Sequence, residues 1–143
     1  MSSVSFIIPV YNKSRFLNLV VDSLKSQKGK FKKEFIFVDD GSTDDSYNKL
    51  QKLTKNLKNC KILRQKNKGS ANATNVGIQL AKMKYIKFLD ADDILLSDAT
   101  ASLIRILENN KSLILAYGLQ RKVSNLKSVN LSETFNFHDV SII

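Results

Sequence analysis

Short apolar runs alternate with amphipathic helical stretches along most of this chain, and that alternation leaves few architectures open. Val4-Ser5-Phe6-Ile7-Ile8 and Glu34-Phe35-Ile36-Phe37-Val38 are nearly continuous in apolar character. Such runs suit strands buried on both faces of a parallel sheet. The spacing predicts further strands at 61–64, 85–89 and 113–117. Between them, residues 15–27 gather Phe16, Leu17, Val20, Val21 and Leu24 on one helical face. Residues 46–57 do the same with Tyr47, Leu50, Leu53 and Leu57, and helices are expected again at 71–83 and 97–109. Strands and helices in this order imply right-handed βαβ units, an α/β fold with a mainly parallel sheet flanked by helices. After Gly118 the pattern weakens. A polar hairpin is expected from 120–123 and 128–131, and 135–143 reads as an apolar tail with no partner element. From such an ending the chain is expected to be cut inside a larger domain.

At 143 residues and 43% hydrophobic composition, residues 1–143 form one domain with one core. The single cysteine, Cys60, excludes a disulfide framework and a cysteine metal cluster. No apolar run approaches a membrane span, and MSSVSFIIPVYN is too short in apolar character for a signal peptide. A cytoplasmic protein is expected, with contact at the inner face of the membrane as an extension of that reading. The net charge is +10, with lysines at 49, 52, 55, 58 and 61. That spacing spreads charge around a helix and turn. Arginine is scarce and aromatics are few among the lysines, so nucleic acid is not the expected partner. A solvated face, with attraction to anionic lipid or a phosphorylated substrate, fits better.

Three strand ends carry unusual chemistry. Pro9-Val10-Tyr11-Asn12 supplies a rigid turn and an aromatic able to stack on a flat base. Asp39-Asp40-Gly41-Ser42 supplies acceptors and a glycine that permits close backbone approach. Phe88-Leu89-Asp90-Ala91-Asp92-Asp93 places three carboxylates at the mouth of an apolar strand. Ligands collect at the carboxyl edge of such strands, and crowded acids call for a cation. Mg²⁺ or Mn²⁺ suits an all-oxygen site completed by water and phosphate. Gly69 opens a small-residue helix whose N–H groups suit an anion or a carbonyl. Each loop also has a plainer reading: Tyr11 as a rim aromatic, the Asp clusters as turns, Asp44 as a helix cap.

IIPVYN, VDDGSTDDS, NKGSANATNVGI and FLDADD, in this order, resemble the nucleotide-binding half of family 2 glycosyltransferases with the Rossmann-like GT-A fold. The resemblance covers residues 3–117. It implies that Pro9 and Tyr11 line the nucleoside pocket and that Asp40, or Asp39, bonds the base. Asn12, Gly69 and Asn75 join the nucleotide-binding set. Asp90 is implied near the ribose or the metal's water shell, and Asp92 as the direct ligand of Mn²⁺ or Mg²⁺. The implied donor is a nucleotide-diphosphate sugar, with a UDP-sugar favoured, and the acceptor a hydroxyl of a glycan or lipid-linked molecule. Transfer would invert the anomeric centre.

The chain departs from the family pattern twice. Thr74 stands where the family often carries arginine, leaving Lys66 or Lys68 to substitute in part. The family's catalytic base is a downstream acid, yet the acids after Asp98 are Glu108, Glu133 and Asp139, and none sits in a matching motif. His138 reads as a surface residue, so no general base is assigned. The expected unit is a donor half with little transfer of its own, its apolar end covered by a second copy of the chain. A nucleotidyltransferase on a similar fold is the runner-up, weaker because PVYNKSRF is not glycine-rich, and a non-catalytic nucleotide-binding remnant is the other alternative. A signalling receiver domain is disfavoured because Pro9 and Tyr11 stand where its acids belong.

Overall fold

The computed structural model describes residues 1–118 and 120–122, together with the backbone of a strand at 140–142. The elements run β1 (Ser2–Val10), α1 (Leu17–Lys25), β2 (Phe31–Asp39), α2 (Ser46–Thr54), β3 (Cys60–Arg64), α3 (Ser70–Leu80), β4 (Tyr85–Phe88), α4 (Ala99–Asn109), β5 (Ala116–Gly118) and β6 (Val140–Ile142). β3, β2, β1 and β4 form one sheet in that spatial order, all parallel. The expected α/β architecture is therefore present, and the chain crosses from β3 over β2 and β1 to reach β4.

Register explains why β1 and β2 are apolar on both faces. Ile7 lies between Ile36 and Phe88, and Phe6 beside Phe35. One face carries Phe6, Ile8, Val10, Phe35 and Phe37 into a core completed by Leu17, Val20, Val21, Leu24 and Leu50. Phe6 and Phe35 stack with ring centroids 5.3 Å apart. The opposite face packs Ile36 and Val38 against Ala73 and Val76 of α3. Small residues let α3 lie close: a Cβ on Gly77 would meet Cγ2 of Ile7 at 2.4 Å. Gly77→Ala is therefore expected to destabilise the domain by about 1–3 kcal/mol, despite a helix-propensity gain of about 1 kcal/mol. A urea titration with an unchanged slope checks this; a stabilised variant would contradict the close approach.

Where the parallel strands begin, one buried acid organises the lower edge. Glu34 accepts hydrogen bonds from the Ser5 hydroxyl (2.6 Å), the Lys82 N–H (3.0 Å) and Lys61 Nζ (2.9 Å). Ser5 in turn accepts the Met83 N–H at 3.2 Å. Thus the link between α3 and β4 hangs from β1 and β2.

The fifth strand differs from expectation. Leu113-Ile114-Leu115 does not extend the parallel sheet. The backbone turns at Asn110, whose carbonyl accepts the Leu113 N–H, and Ile114 and Leu115 are exposed. β5 starts only at Ala116 and pairs antiparallel with β6 in a separate two-stranded sheet. The run is apolar like a buried strand, and Leu113 and Ile114 come back beside Lys84 and Tyr85 at the start of β4, but the segment does not join that sheet. The tail expected to lack a partner thus contributes Val140–Ile142 to that pair. No strand forms at 120–122. The rest of the anticipated hairpin lies outside the described residues, as do His138, Glu133 and Asp139.

Candidate donor-binding site

Because β1, β2 and β4 are parallel, their three carboxyl-end loops share one edge. Loops one and two are knitted together. Asn12 takes a left-handed backbone (φ 51°), which asparagine tolerates better than most residues. Its Oδ1 accepts the N–H groups of Thr43 (2.8 Å) and Asp44 (3.2 Å). The Asn12 N–H donates to Ser42 Oγ, the Lys13 N–H to Ser46 Oγ, and the Ser14 N–H to Asp44 Oδ2. Asp44 Oδ1 accepts the N–H of Ser46, the first residue of α2, although the cap position itself is Asp45, one residue later than its plainer reading had it. Its carboxyl is held below the ordinary 3.8: burial raises it, but bonds from Ser46 and Ser14 outweigh burial. Tyr11 stands 46% exposed at the rim, and Pro9 is half-buried beneath it.

The adjacent acids of loop two have different environments. Asp40 is fully engaged by the protein. Its Oδ1 accepts Gln65 Nε2 (2.7 Å) and the Lys68 N–H (2.9 Å), and its Oδ2 the Gly69 N–H (2.8 Å). Burial raises its pKa, and these bonds more than reverse that, leaving it lowered. Asp40 thus holds the 65–69 segment and the entrance of α3. Gly41 (φ 72°) lets that segment pass, since a Cβ there would meet the Asn67 nitrogen at 2.8 Å. Asp39 is completely buried. Its Oδ2 meets Arg64 Nε at 3.2 Å and the Ser42 N–H at 3.3 Å, while Oδ1 has no partner.

In loop four, Leu89 and Ala91 are buried while Asp90 and Asp92 face outward. The Asp93 N–H closes the turn on the Asp90 carbonyl at 3.0 Å. Asp92 Oδ2 lies 2.5 Å from Lys13 Nζ, a bridge across the cleft to loop one. Asp93 is pushed upward by burial and then by the charges of Asp90 and Asp92, and it accepts a bond from Gln120 (3.2 Å). Among the described residues no group of three or more His, Cys, Asp or Glu could hold a metal ion. A hard cation here would therefore take one or two carboxylates and complete its shell with water and substrate phosphate, as Mg²⁺ commonly does. Asp92 fits that role, for a cationic group already rests on its outward oxygen. Gly69 and Asn75 are exposed at and beyond the start of α3, and Lys66 and Lys68 are exposed ahead of it. Thr74, in the helix, is half-buried.

Three participants escaped the sequence reading: Lys13, Arg64 and Gln65. Arg64 is the register partner of Asp39 across β2 and β3, a relation visible only once the strands are aligned. Glu108, the one described acid after Asp98, bonds Ser2 (2.7 Å) at the far edge of the sheet and is remote from these loops.

The sequence model of glycosyl transferase family 2 matches residues 5–139. The chain belongs to glycosyl transferase family 2. An uncharacterised glycosyltransferase of Rickettsia conorii is 39% identical over 111 residues, which is 76% of this chain and 18% of that protein. A chondroitin synthase of Escherichia coli is 35% identical over 120 residues, 84% of this chain and 17% of the synthase. This family 2 chain therefore spans under a fifth of the length of those relatives. Residues 1–349 of TarS from S. aureus, crystallised with UDP, superpose with a TM-score of 0.67 at 25% identity, covering 76% of this chain and 32% of that one. A Pyrobaculum calidifontis mannosyltransferase, solved with GDP-Man and Mn²⁺, shares the fold with a TM-score of 0.75 at 21% identity over 83% of this chain and 35% of its own. The GT-A fold of the family is thus established for this chain.

Proposed function

We propose that this chain binds the donor for a glycosyltransferase that moves a sugar from a nucleoside-diphosphate sugar to an acceptor hydroxyl, with inversion, in the synthesis of a glycan. The observation that carries the reading is Asp39 Oδ1, a buried acceptor without a partner at the edge where the three loops meet. A buried acceptor left unpaired costs about 1–3 kcal/mol, and the imide N–H of uracil would satisfy it. That suits a base with a ring N–H flanked by a carbonyl, of which the uracil of a UDP-sugar is the favoured case, and assigns the base contact to Asp39, with Asp40 and Asn12 holding the loops. Tyr11 offers a face for the base, and Pro9 fixes the turn behind it.

Asp92, with Asp90 beside it, would hold Mn²⁺ or Mg²⁺. Such an ion stabilises negative charge on a departing diphosphate. Lys13 neutralises Asp92 from across the cleft and lies within reach of the same phosphate region. The α3 entrance adds backbone N–H groups, a neutral donor set where the family often has arginine. The proton of the acceptor hydroxyl needs a base, and no described acid near these loops has that role.

Calorimetry with UDP, GDP and TDP, each with Mn²⁺, tests the reading. UDP should bind most tightly, and absence of binding by all three to folded protein would end it. Asp39→Ala is expected to weaken UDP binding by about 10- to 100-fold, the range of a hydrogen bond to a charged group. Binding of inorganic pyrophosphate with Mn²⁺ should change little. Equal loss for both ligands would mean that Asp39 only supports the loop through Arg64.

A further inference from the structure

Charge is sorted along the strand direction. Asp39, Asp40, Asp44, Asp45, Asp90, Asp92 and Asp93 all lie at the donor edge, after the strands end. The opposite edge, where the strands begin, is basic. Lys28, Lys30 and Lys32 surround the start of β2, Lys58 precedes β3, Lys84 precedes β4 and Lys111 follows α4; all are exposed. Of the acids near this edge, Glu34 is buried on Ser5 and Lys61, Glu108 is bonded to Ser2 and Lys84, and Asp98 follows the Ser97 carbonyl that accepts the Lys28 N–H; exposed Asp22 on α1 offsets a small part of the charge.

Amid these lysines stand large apolar side chains. Ile114 is 97% exposed and Leu115 51%, three and four residues past Lys111. Ile114 also lines a shallow depression with Lys84, Lys111 and Leu113. A second depression on the same edge has Leu24, Phe31 and Leu57 at its base and Lys25, Lys33 and Lys58 at its rim.

We propose that this edge docks on a membrane surface bearing anionic lipids, with the lysines over the headgroups and Ile114 and Leu115 entering the acyl boundary. Lysine-rich surfaces are drawn to anionic leaflets, and apolar residues set among them deepen the contact. The side chains argue against nucleic acid. Recognition of that polymer favours arginine and exposed stacking aromatics. Here the charges are lysines, Phe31 is 9% exposed, and Lys33 and Lys84 cover the rings of Phe31 and Tyr85. Among the described residues no helix is long and apolar enough to cross a membrane, so the contact is peripheral.

Co-sedimentation of the full chain with vesicles tests this. Binding should appear with phosphatidylcholine containing about 30% phosphatidylglycerol and weaken as salt rises from about 0.1 to 1 M. Lys28/Lys30/Lys32→Gln should lower partitioning by about 10- to 100-fold. Lys66/Lys68/Lys122→Gln removes the same charge away from this edge and should lower it by less than about 3-fold. Ile114→Ser/Leu115→Ser, with charge unchanged, should cost about 10-fold. Equal losses from the two lysine variants would show that bulk charge alone acts. Undiminished binding by the Ile114/Leu115 variant would also overturn the proposal. So would vesicle binding that survives Lys28/Lys30/Lys32→Gln while binding to a mixed-sequence RNA is lost.

Discussion

Asp92→Ala is expected to weaken metal-dependent nucleotide binding by about 100-fold or more, given that even outer-shell partners of a metal typically contribute 10- to 100-fold. The fold should be unaffected. Asp92 faces outward just after buried Ala91, and its ion-pair partner is the half-exposed Lys13. Exposed ion pairs of that kind contribute about 0–1 kcal/mol. Asp93→Ala should do less to binding, because Asp93 closes the turn and accepts Gln120. Titrations of UDP with and without Mn²⁺, alongside thermal melts, separate the two effects. Wild-type binding by Asp92→Ala would remove Asp92 from the site.

The largest stability effect is expected at Glu34. Glu34→Ala leaves the Ser5 hydroxyl and the Lys82 N–H without their acceptor in a buried setting. At about 1–3 kcal/mol for each of the two unsatisfied groups, the loss should total about 2–6 kcal/mol. Lys61 adds little, since its side chain is 42% exposed and can turn to water. Glu34→Gln keeps the shape and part of the acceptance and should cost less. Acid should mimic the alanine change. Burial raises the Glu34 pKa, but bonds from Ser5, Lys61 and Lys82 outweigh it, so the folded value lies below the ordinary 4.5. A depressed folded value means stability that is present above about pH 4.5 and lost as pH falls through the folded pKa. Asp40 and Asp44 are lowered too and add to the same acid loss, below their ordinary 3.8. Urea titrations at neutral and acid pH should therefore converge for wild type and Glu34→Ala. A gap that stays constant with pH would contradict the assignment.

β1 and β2 were readable from sequence because both their faces are buried, which forces continuous apolar runs. β2 nonetheless begins at Phe31, three residues before its apolar run, since Lys32 can remain exposed at a strand's start. β5 was misplaced because Leu113-Ile114-Leu115 is as apolar as a core strand while lying on the surface. Periodicity reports what a segment could bury, and its pairing in the fold decides whether it does. Within the site, acids and glycines were visible as motifs, but the division of labour between Asp39 and Asp40 was not. It depends on where Gln65, Lys68 and Gly69 return to the sheet, a matter of loop path. Nor could the motif reveal that the side-chain carbonyl of Asn12 accepts the N–H groups of Thr43 and Asp44.

The bonds between the first two loops also set how their amides meet solvent. The N–H groups of Asn12, Lys13, Ser14, Thr43, Asp44 and Ser46 all have side-chain acceptors, although much of this segment is exposed. Deuterium should therefore enter 12–14 and 43–46 slowly before any nucleotide arrives, unlike most surface loops, which open readily. A nucleoside meeting a surface ordered in advance forfeits little loop freedom on binding. Its arrival should leave exchange in these two loops nearly unchanged, with added protection at the α3 entrance and the 90–93 turn.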